Sequence, residues 1–295
     1  MNQTTIPIPR LVVMDMDGTL LNSRKEITPE TAAALRRLQD RGTRLVLASG
    51  RPERGLMRFA RQLDMKRHGG ILISSNGALA RTLDGRALYS NALTRENTRK
   101  VLKHLKQFDV IPMIADGDSM LVENVYNCMI ELDGRPWNVV EYEAHSNGFL
   151  LREVRDLSEA GLTPEKILTA GTPAYLRQVS EKMRAPFCDS LDSMFTGPFY
   201  YEFTASGSNK GTALKAVMEA CGVSSLQTAV FGDAENDLPM FAHAAITVAM
   251  GNATEPVRNQ ARYITASNDE DGIVRTVESW EKIREQQPAS DSEKR

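Results

Sequence analysis

Asp15 and Asp17 stand two residues apart in Asp15-Met16-Asp17-Gly18, immediately after the apolar run Leu11 to Met14. If the strand conformation of that run continues through them, both carboxylates project to the same side, roughly 6 to 7 Å apart along the chain. At an effective dielectric of about 20 their repulsion is on the order of 2 to 3 kcal/mol. Such repulsion favours a shifted proton or a bound cation. Oxygen ligands of this kind suit Mg²⁺, which takes few protein carboxylates and keeps positions for water and a phosphate oxygen. The plainer alternative is a polar turn after a buried strand, since Asp and Gly are ordinary turn residues. A calcium loop of the EF-hand type is excluded, because it would need an acid or amide where Thr19 stands and a glycine where Leu20 stands.

A second acidic group, Gly232-Asp233-Ala234-Glu235-Asn236-Asp237, follows another apolar run and opens a helical stretch. In a parallel sheet it shares the carboxyl edge with the first group, and ligands of open α/β sheets bind at that edge. Asp233 could then complete an octahedral Mg²⁺ shell with the Asp15 carboxylate and the Asp17 backbone carbonyl. Otherwise Asn236 and Asp237 do no more than cap the helix. Ser49 and Gly50 end a second apolar run, where a hydroxyl and a backbone N–H can meet a phosphate oxygen at a helix N-terminus. Lys210 opens a further helical stretch and is placed to neutralise an anion, the alternative being a solvated surface lysine. It is no Walker lysine, because Gly211 follows it and the required glycine spacing is absent.

Composition narrows the class. The chain has 295 residues, of which 41% are hydrophobic and 25% charged, an ordinary globular mixture. That length favours one large or two smaller domains. Thirty-six basic against thirty-eight acidic side chains leave a formal net charge of −2, so no bulk field draws the chain to nucleic acid or an anionic membrane. The aromatic residues do not interleave with arginines in a base-stacking pattern. No run approaches the roughly 18 apolar residues of a membrane span. The three cysteines, Cys128, Cys188 and Cys221, form no CxxC pair, which argues against a disulfide framework or a thiolate zinc site. The start of the chain lacks a signal-peptide run, so a cytoplasmic protein is expected and the N-x-S/T matches at Asn2 and Asn252 are read as chance. No HExxH and no GxGxxG occur.

The elements that must carry these residues alternate. Leu11 to Met14 reads as a strand. Thr28 then caps a helix with Pro29 at its first position, and Gly42 stops it. Leu45 to Ala48 is a second strand, followed by a helix to about Asp64, and Ile71 to Ile73 is a third strand. The same rhythm returns in Lys210 to Ala220, Ala229 to Phe231, Asp237 to Ala242, Ile246 to Ala249, Thr254 to Ala261 and Tyr263 to Thr265. Strands alternating with helices indicate right-handed βαβ units and a Rossmann-like parallel sheet. Between these halves the texture changes: a helix over Thr94 to Gln107, a hairpin around Asp116-Gly117-Asp118, a strand at Lys166 to Ala170, a helix from Pro173 and a strand at Phe199 to Phe203. An α/β core of residues 1–84 and 201–285 with an inserted α+β domain over 85–200 is therefore expected. The polar stretch 286–295 reads as a disordered tail.

Taken in order, Asp15-Met16-Asp17-Gly18-Thr19-Leu20-Leu21, Ser49-Gly50-Arg51, Lys210-Gly211 and Gly232-Asp233-Ala234-Glu235-Asn236-Asp237 resemble the motifs of the haloacid dehalogenase superfamily of phosphohydrolases. Ser74-Ser75-Asn76-Gly77-Ala78, Val248-Ala249-Met250-Gly251-Asn252-Ala253 and Ser267-Asn268-Asp269-Glu270-Asp271-Gly272 resemble its Cof branch, whose α/β cap is inserted between the second and third motifs. The resemblance implies a Mg²⁺-dependent phosphomonoesterase of small phosphorylated metabolites, sugar phosphates above all, with Asp15 as nucleophile and Asp17 as acid and base. It further implies Mg²⁺ on Asp15, Asp17 and Asp233, with Asp237 supporting them. Phosphate would be held by Ser49, Gly50, Lys210 and Asn236, and the substrate near Asn76 and Gly77, with the cap selecting it. A phosphomutase of the same superfamily and a non-catalytic phosphometabolite-binding protein remain alternatives at this point.

Overall fold

The computed structural model describes residues 8–126 and 128–285. Asn2 and the 286–295 stretch lie outside the described residues. The chain divides into two compact units, the described parts of Met1–Ser49, Met57–Leu88 and Asn209–Arg295 forming one, and Gly50–Leu56 with Tyr89–Ser208 the other.

The first unit is built on a sheet of eight strands. Its spatial order is Tyr263–Ile264, Ile246–Ala249, Thr228–Gly232, Leu11–Asp15, Arg44–Ala48, Ile71–Ser74, Leu79–Thr82 and Ala87–Ser90. The first six of these run parallel. Leu11–Asp15 is buried along its whole length, as a strand covered on both faces must be, which is why it reads as a continuous apolar run. Burying one such side chain contributes roughly 1.5 to 3 kcal/mol.

Helices supply the cover. Pro29–Asp40 begins where Thr28 accepts a hydrogen bond from the Thr31 amide, and it buries Ala32, Leu35 and Leu38 at helical spacing. Gly272–Glu285 packs beside it and sets the Trp280 ring 5.9 Å from that of Phe231.

The parallel sheet expected from sequence needs one amendment. Leu79–Thr82 pairs antiparallel with Ile71–Ser74 and turns at Gly85 toward Ala87–Ser90, adding a mixed edge. The helix expected over Asp237 to Ala242 is a 3₁₀ turn, Glu235–Asp237, followed by the short helix Leu238–Phe241.

The second unit contains a six-stranded sheet ordered Leu150–Glu153, Ser119–Val122, Ile111–Asp116, Lys166–Ala170, Tyr200–Ala205 and Leu191–Gly197. Alternation along the strands gives it two apolar faces. Ile114, Leu121, Ile167 and Phe203 pack with Arg95–Leu105 and Pro173–Arg184. Met113, Met120, Leu168 and Ala170 pack with Val139–Asn147 and the hairpin Met129–Leu132/Arg135–Asn138. The short stretch Gly50–Leu56 belongs to this unit because Arg54 reaches the Gly148 carbonyl and Asp118, and Lys166 donates to the Gly50 carbonyl at 3.0 Å. No helix among the described residues is long and apolar enough to cross a membrane.

Candidate active site

The six parallel strands of the first unit point their carboxyl ends to one edge. Asp15 is level with Ala48, Ala48 with Ile73, and Gly232 with Ala249. Ser49, Asn76, Asp233 and Asn252 therefore fall in the loops just past that edge.

The strand stops at Asp15, and the chain turns through Gly18 at φ +88°. The premise of an extended Asp15–Asp17 pair thus does not hold. The carboxylates that gather are Asp15, Asp233 and Asp237, each offering an oxygen within 4.8 Å of the others. The Asp17 carboxylate, 39% exposed, pairs with Lys25 at 2.8 Å.

Lys210 is 1% exposed, and its ammonium lies between Asp15 at 2.5 Å and Asp237 at 2.7 Å. It is delivered by the first turn of Lys210–Cys221, which Asn209 caps by accepting from the Thr212 amide. The surface-lysine alternative is thereby discarded. Asp237 is fully buried and has both oxygens engaged: Oδ1 takes Lys210, and Oδ2 accepts from the amides of Asp233 and Ala234. It closes its own loop and aims the lysine in the same act, so capping describes half of its role. Asp233 Oδ1 accepts from the Thr19 hydroxyl at 2.6 Å.

The electrostatics are those of a site with too few positive charges. Burial pushes the Asp15 carboxyl up to about 7; Lys210 pulls it down, while Asp237 and Asp233 push it further up. Burial likewise raises Asp233 to about 6, against the Thr19 hydrogen bond and with added repulsion from Asp237. Burial alone would lower Lys210, but Asp15 and Asp237 more than offset it and hold it above the ordinary lysine value. Three carboxylates against one ammonium leave an excess of two negative charges when all are ionised. Hard oxygen donors with that excess fit a small divalent cation.

The remaining predicted residues fall into two groups. Ser49 is buried, its amide donating to Ile73 and its carbonyl accepting from Asn76. Asn76 Oδ1 in turn accepts from Asn236 Nδ2 at 3.3 Å, which brings those two predicted contacts together. Gly50, by contrast, opens the other unit.

Ser75, Asn76 and Gly77 all have positive φ, and a Cβ on Gly77 would lie 2.2 Å from the Asn209 carbonyl oxygen. Gly77→Ala is therefore expected to destabilise the fold by about 2 to 4 kcal/mol, since backbone strain and a backbone clash add. Urea denaturation of the variant checks this.

Sequence reasoning missed Thr19, Lys25 and Asn252. Thr19 carried no signal beyond its place in the first motif. Asn252 follows an apolar strand at the same edge, a position that marks it once the strand order is known. Its amide donates to the Gly18 carbonyl at 2.8 Å.

The chain is similar to known proteins along most of its length. The enzyme 5-amino-6-(5-phospho-D-ribitylamino)uracil phosphatase YcsE of Bacillus subtilis (strain 168) is 28% identical over 274 residues, spanning 92% of this chain and 95% of that protein. Phosphatase YwpJ of the same organism is 24% identical over 282 residues, spanning 90% and 97%. The crystal structure of a haloacid dehalogenase-like hydrolase from Bacteroides thetaiotaomicron superposes with a TM-score of 0.84 at 33% identity, covering 92% of this chain and 99% of that one. Residues 12–277 match the sequence profile of one family throughout, and with the acidic site at the sheet edge this places the chain in the haloacid dehalogenase-like hydrolases.

Proposed function

We propose that the protein is a cytoplasmic, Mg²⁺-dependent phosphomonoester hydrolase of small phosphorylated metabolites, with sugar phosphates as the preferred class. The observation that carries this reading is the buried Lys210 ammonium bridging Asp15 and Asp237 beside Asp233. The relatives named as phosphatases support it, one of them acting on a phosphorylated ribityl compound. Three free cysteines suit a reducing compartment.

In the proposed reaction an Asp15 oxygen attacks phosphorus in line, the new P–O bond forming as the bond to the leaving oxygen breaks. Asp17, released from Lys25 and in its protonated form, gives that oxygen a proton. It then takes one from water, which attacks the phosphoaspartyl group, releases phosphate and restores Asp15. Lys210 keeps Asp15 oriented and balances part of its charge. The Ser49 hydroxyl, the amide of Gly50 next in the chain, and Asn236 are assigned to the phosphoryl oxygens, and Asn76 and Gly77 to the substrate. Asp15, Asp233 and the Asp17 carbonyl would hold Mg²⁺, which when bound supplies the positive charge that lets an anionic nucleophile approach an anionic ester.

Purified protein is expected to release phosphate from p-nitrophenyl phosphate with Mg²⁺ and to stop on addition of a chelator. A panel of phosphorylated metabolites, scored by free phosphate, would then rank substrates. Isomerised hexose phosphate without free phosphate would mark a mutase, and saturable binding with no turnover would mark a binding protein.

A further inference from the structure

Two motifs past the second acidic loop, Met250-Gly251-Asn252 and Asn268-Asp269-Glu270-Asp271, have no part in the reaction just described, yet their side chains hold the loop that carries Asp17. Asn252 Nδ2 donates to the Gly18 carbonyl at 2.8 Å, and Asn252 Oδ1 accepts from the Asn268 amide at 3.0 Å. Asn268 Nδ2 donates to the Leu21 carbonyl at 2.8 Å, and Asp269 accepts from the Ser23 amide at 2.7 Å. The same segment grips the other acidic loop through its backbone. The Met250 amide donates to the Gly232 carbonyl, and the Thr254 amide to the Asp233 carbonyl. Residues 250–254 therefore tie the Asp17–Gly18 turn to the Asp233 loop.

The tie acts where spacing is tight. Gly18 lies so close to Asp233 that a Cβ would stand 2.3 Å from Oδ2, so a shift of the turn is a shift against that carboxylate. We infer that Asn252 is a positioning residue for the divalent cation: by holding the Gly18 carbonyl it fixes the adjacent Asp17 carbonyl relative to Asp233. The inference rests on the cation site proposed above. Groups that orient metal ligands without touching the metal typically contribute 10- to 100-fold in affinity.

The test is Mg²⁺ titration by calorimetry on the intact chain, with phosphate release measured in parallel. Asn252→Asp keeps the acceptor for the Asn268 amide but replaces the donor to Gly18 with a carboxylate oxygen, which repels that carbonyl; Asn252→Ser, which adds no charge, is titrated beside it. Each is expected to weaken Mg²⁺ binding by about 10-fold or more, to raise the Mg²⁺ needed for half-maximal turnover by a like factor, and to leave KM for substrate at saturating Mg²⁺ nearly unchanged. Asn268→Ala loosens the loop at Leu21 while sparing the Asn252 side-chain donor. It is expected to change Mg²⁺ affinity less than Asn252→Asp at comparable thermal stability. Equal Mg²⁺ affinity in wild type and a folded Asn252→Asp overturns the inference and leaves the function standing. An equal loss in Asn268→Ala also overturns it, by reducing the effect to general loosening. If Asn252→Asp does not fold, Asn252→Ala joins Asn252→Ser in the same comparison. A wild-type chain that binds no Mg²⁺ and releases no phosphate rejects the proposed function, and this inference with it.

Discussion

Asp15→Asn should abolish phosphate release, by on the order of 10⁴-fold or more, while the protein stays folded. The substitution keeps the shape of the side chain and removes the attacking carboxylate. Its effect on stability should have the opposite sign, because the charge it removes is one that burial disfavours. The sign follows from linkage. A carboxyl raised from 3.8 to about 7 binds its proton more tightly in the folded state than in the unfolded one. Between those values the folded state holds the extra proton, so in chelator-treated protein Asp15 makes stability fall as pH rises from about 4 to about 7. Asp15→Asn should flatten that slope. Urea midpoints across the range, with phosphate release on the same samples, check both halves. An active Asp15→Asn would reject the nucleophile assignment.

Lys210→Met is expected to destabilise the first unit by about 3 to 5 kcal/mol, because it strands buried charge and not because the ion pair itself is strong. Without the ammonium, Asp15 and the fully buried Asp237 face each other with no cation between them. Much of the loss should be recovered by adding Asp237→Asn, and that double-mutant comparison separates uncompensated charge from lost packing. Turnover should stay absent in both variants. A single variant within 1 kcal/mol of wild type, as roughly judged by denaturation, would mean that the cluster is already neutral, contrary to the ionised lysine described here.

Much of the core was legible because its strands are buried on both faces and its helices carry strong end signals. Leu11–Asp15 and Thr228–Gly232 contain the apolar runs Leu11 to Met14 and Ala229 to Phe231, and Thr28, Thr94 and Asn209 mark helix starts by side-chain caps that the structure contains. What escaped notice is half-buried or exposed. Leu79–Thr82 and Ala87–Ser90 form an edge hairpin whose outer strand has no buried residue, so no alternation announces it. All four residues of Leu150–Glu153 are exposed, and Arg135–Asn138 holds a proline. The site divides in the same way. Asp15 and Asp233 were readable as acids just past apolar runs, and Lys210 as a cation at a helix start. The dual role of Asp237 was not, because one of its oxygens does what any capping residue does and the other meets a lysine distant in sequence. Asn252 stood within a recognised motif, but its role was hidden for a related reason: it acts on a carbonyl 234 positions away in the chain, and no local pattern encodes such a contact.

The order of the core strands has a bearing on how the polypeptide matures. Leu11–Asp15 sits mid-sheet and is zipped on one side to Arg44–Ala48 and on the other to Thr228–Gly232. On the ribosome the second neighbour does not yet exist while the whole inserted segment, Tyr89–Ser208, is being made. The nascent chain must therefore carry an open strand edge until Thr228–Gly232 is made. At elongation rates of about 5 to 20 residues per second that interval lasts on the order of ten seconds or more, during which the unpaired edge is open to aggregation.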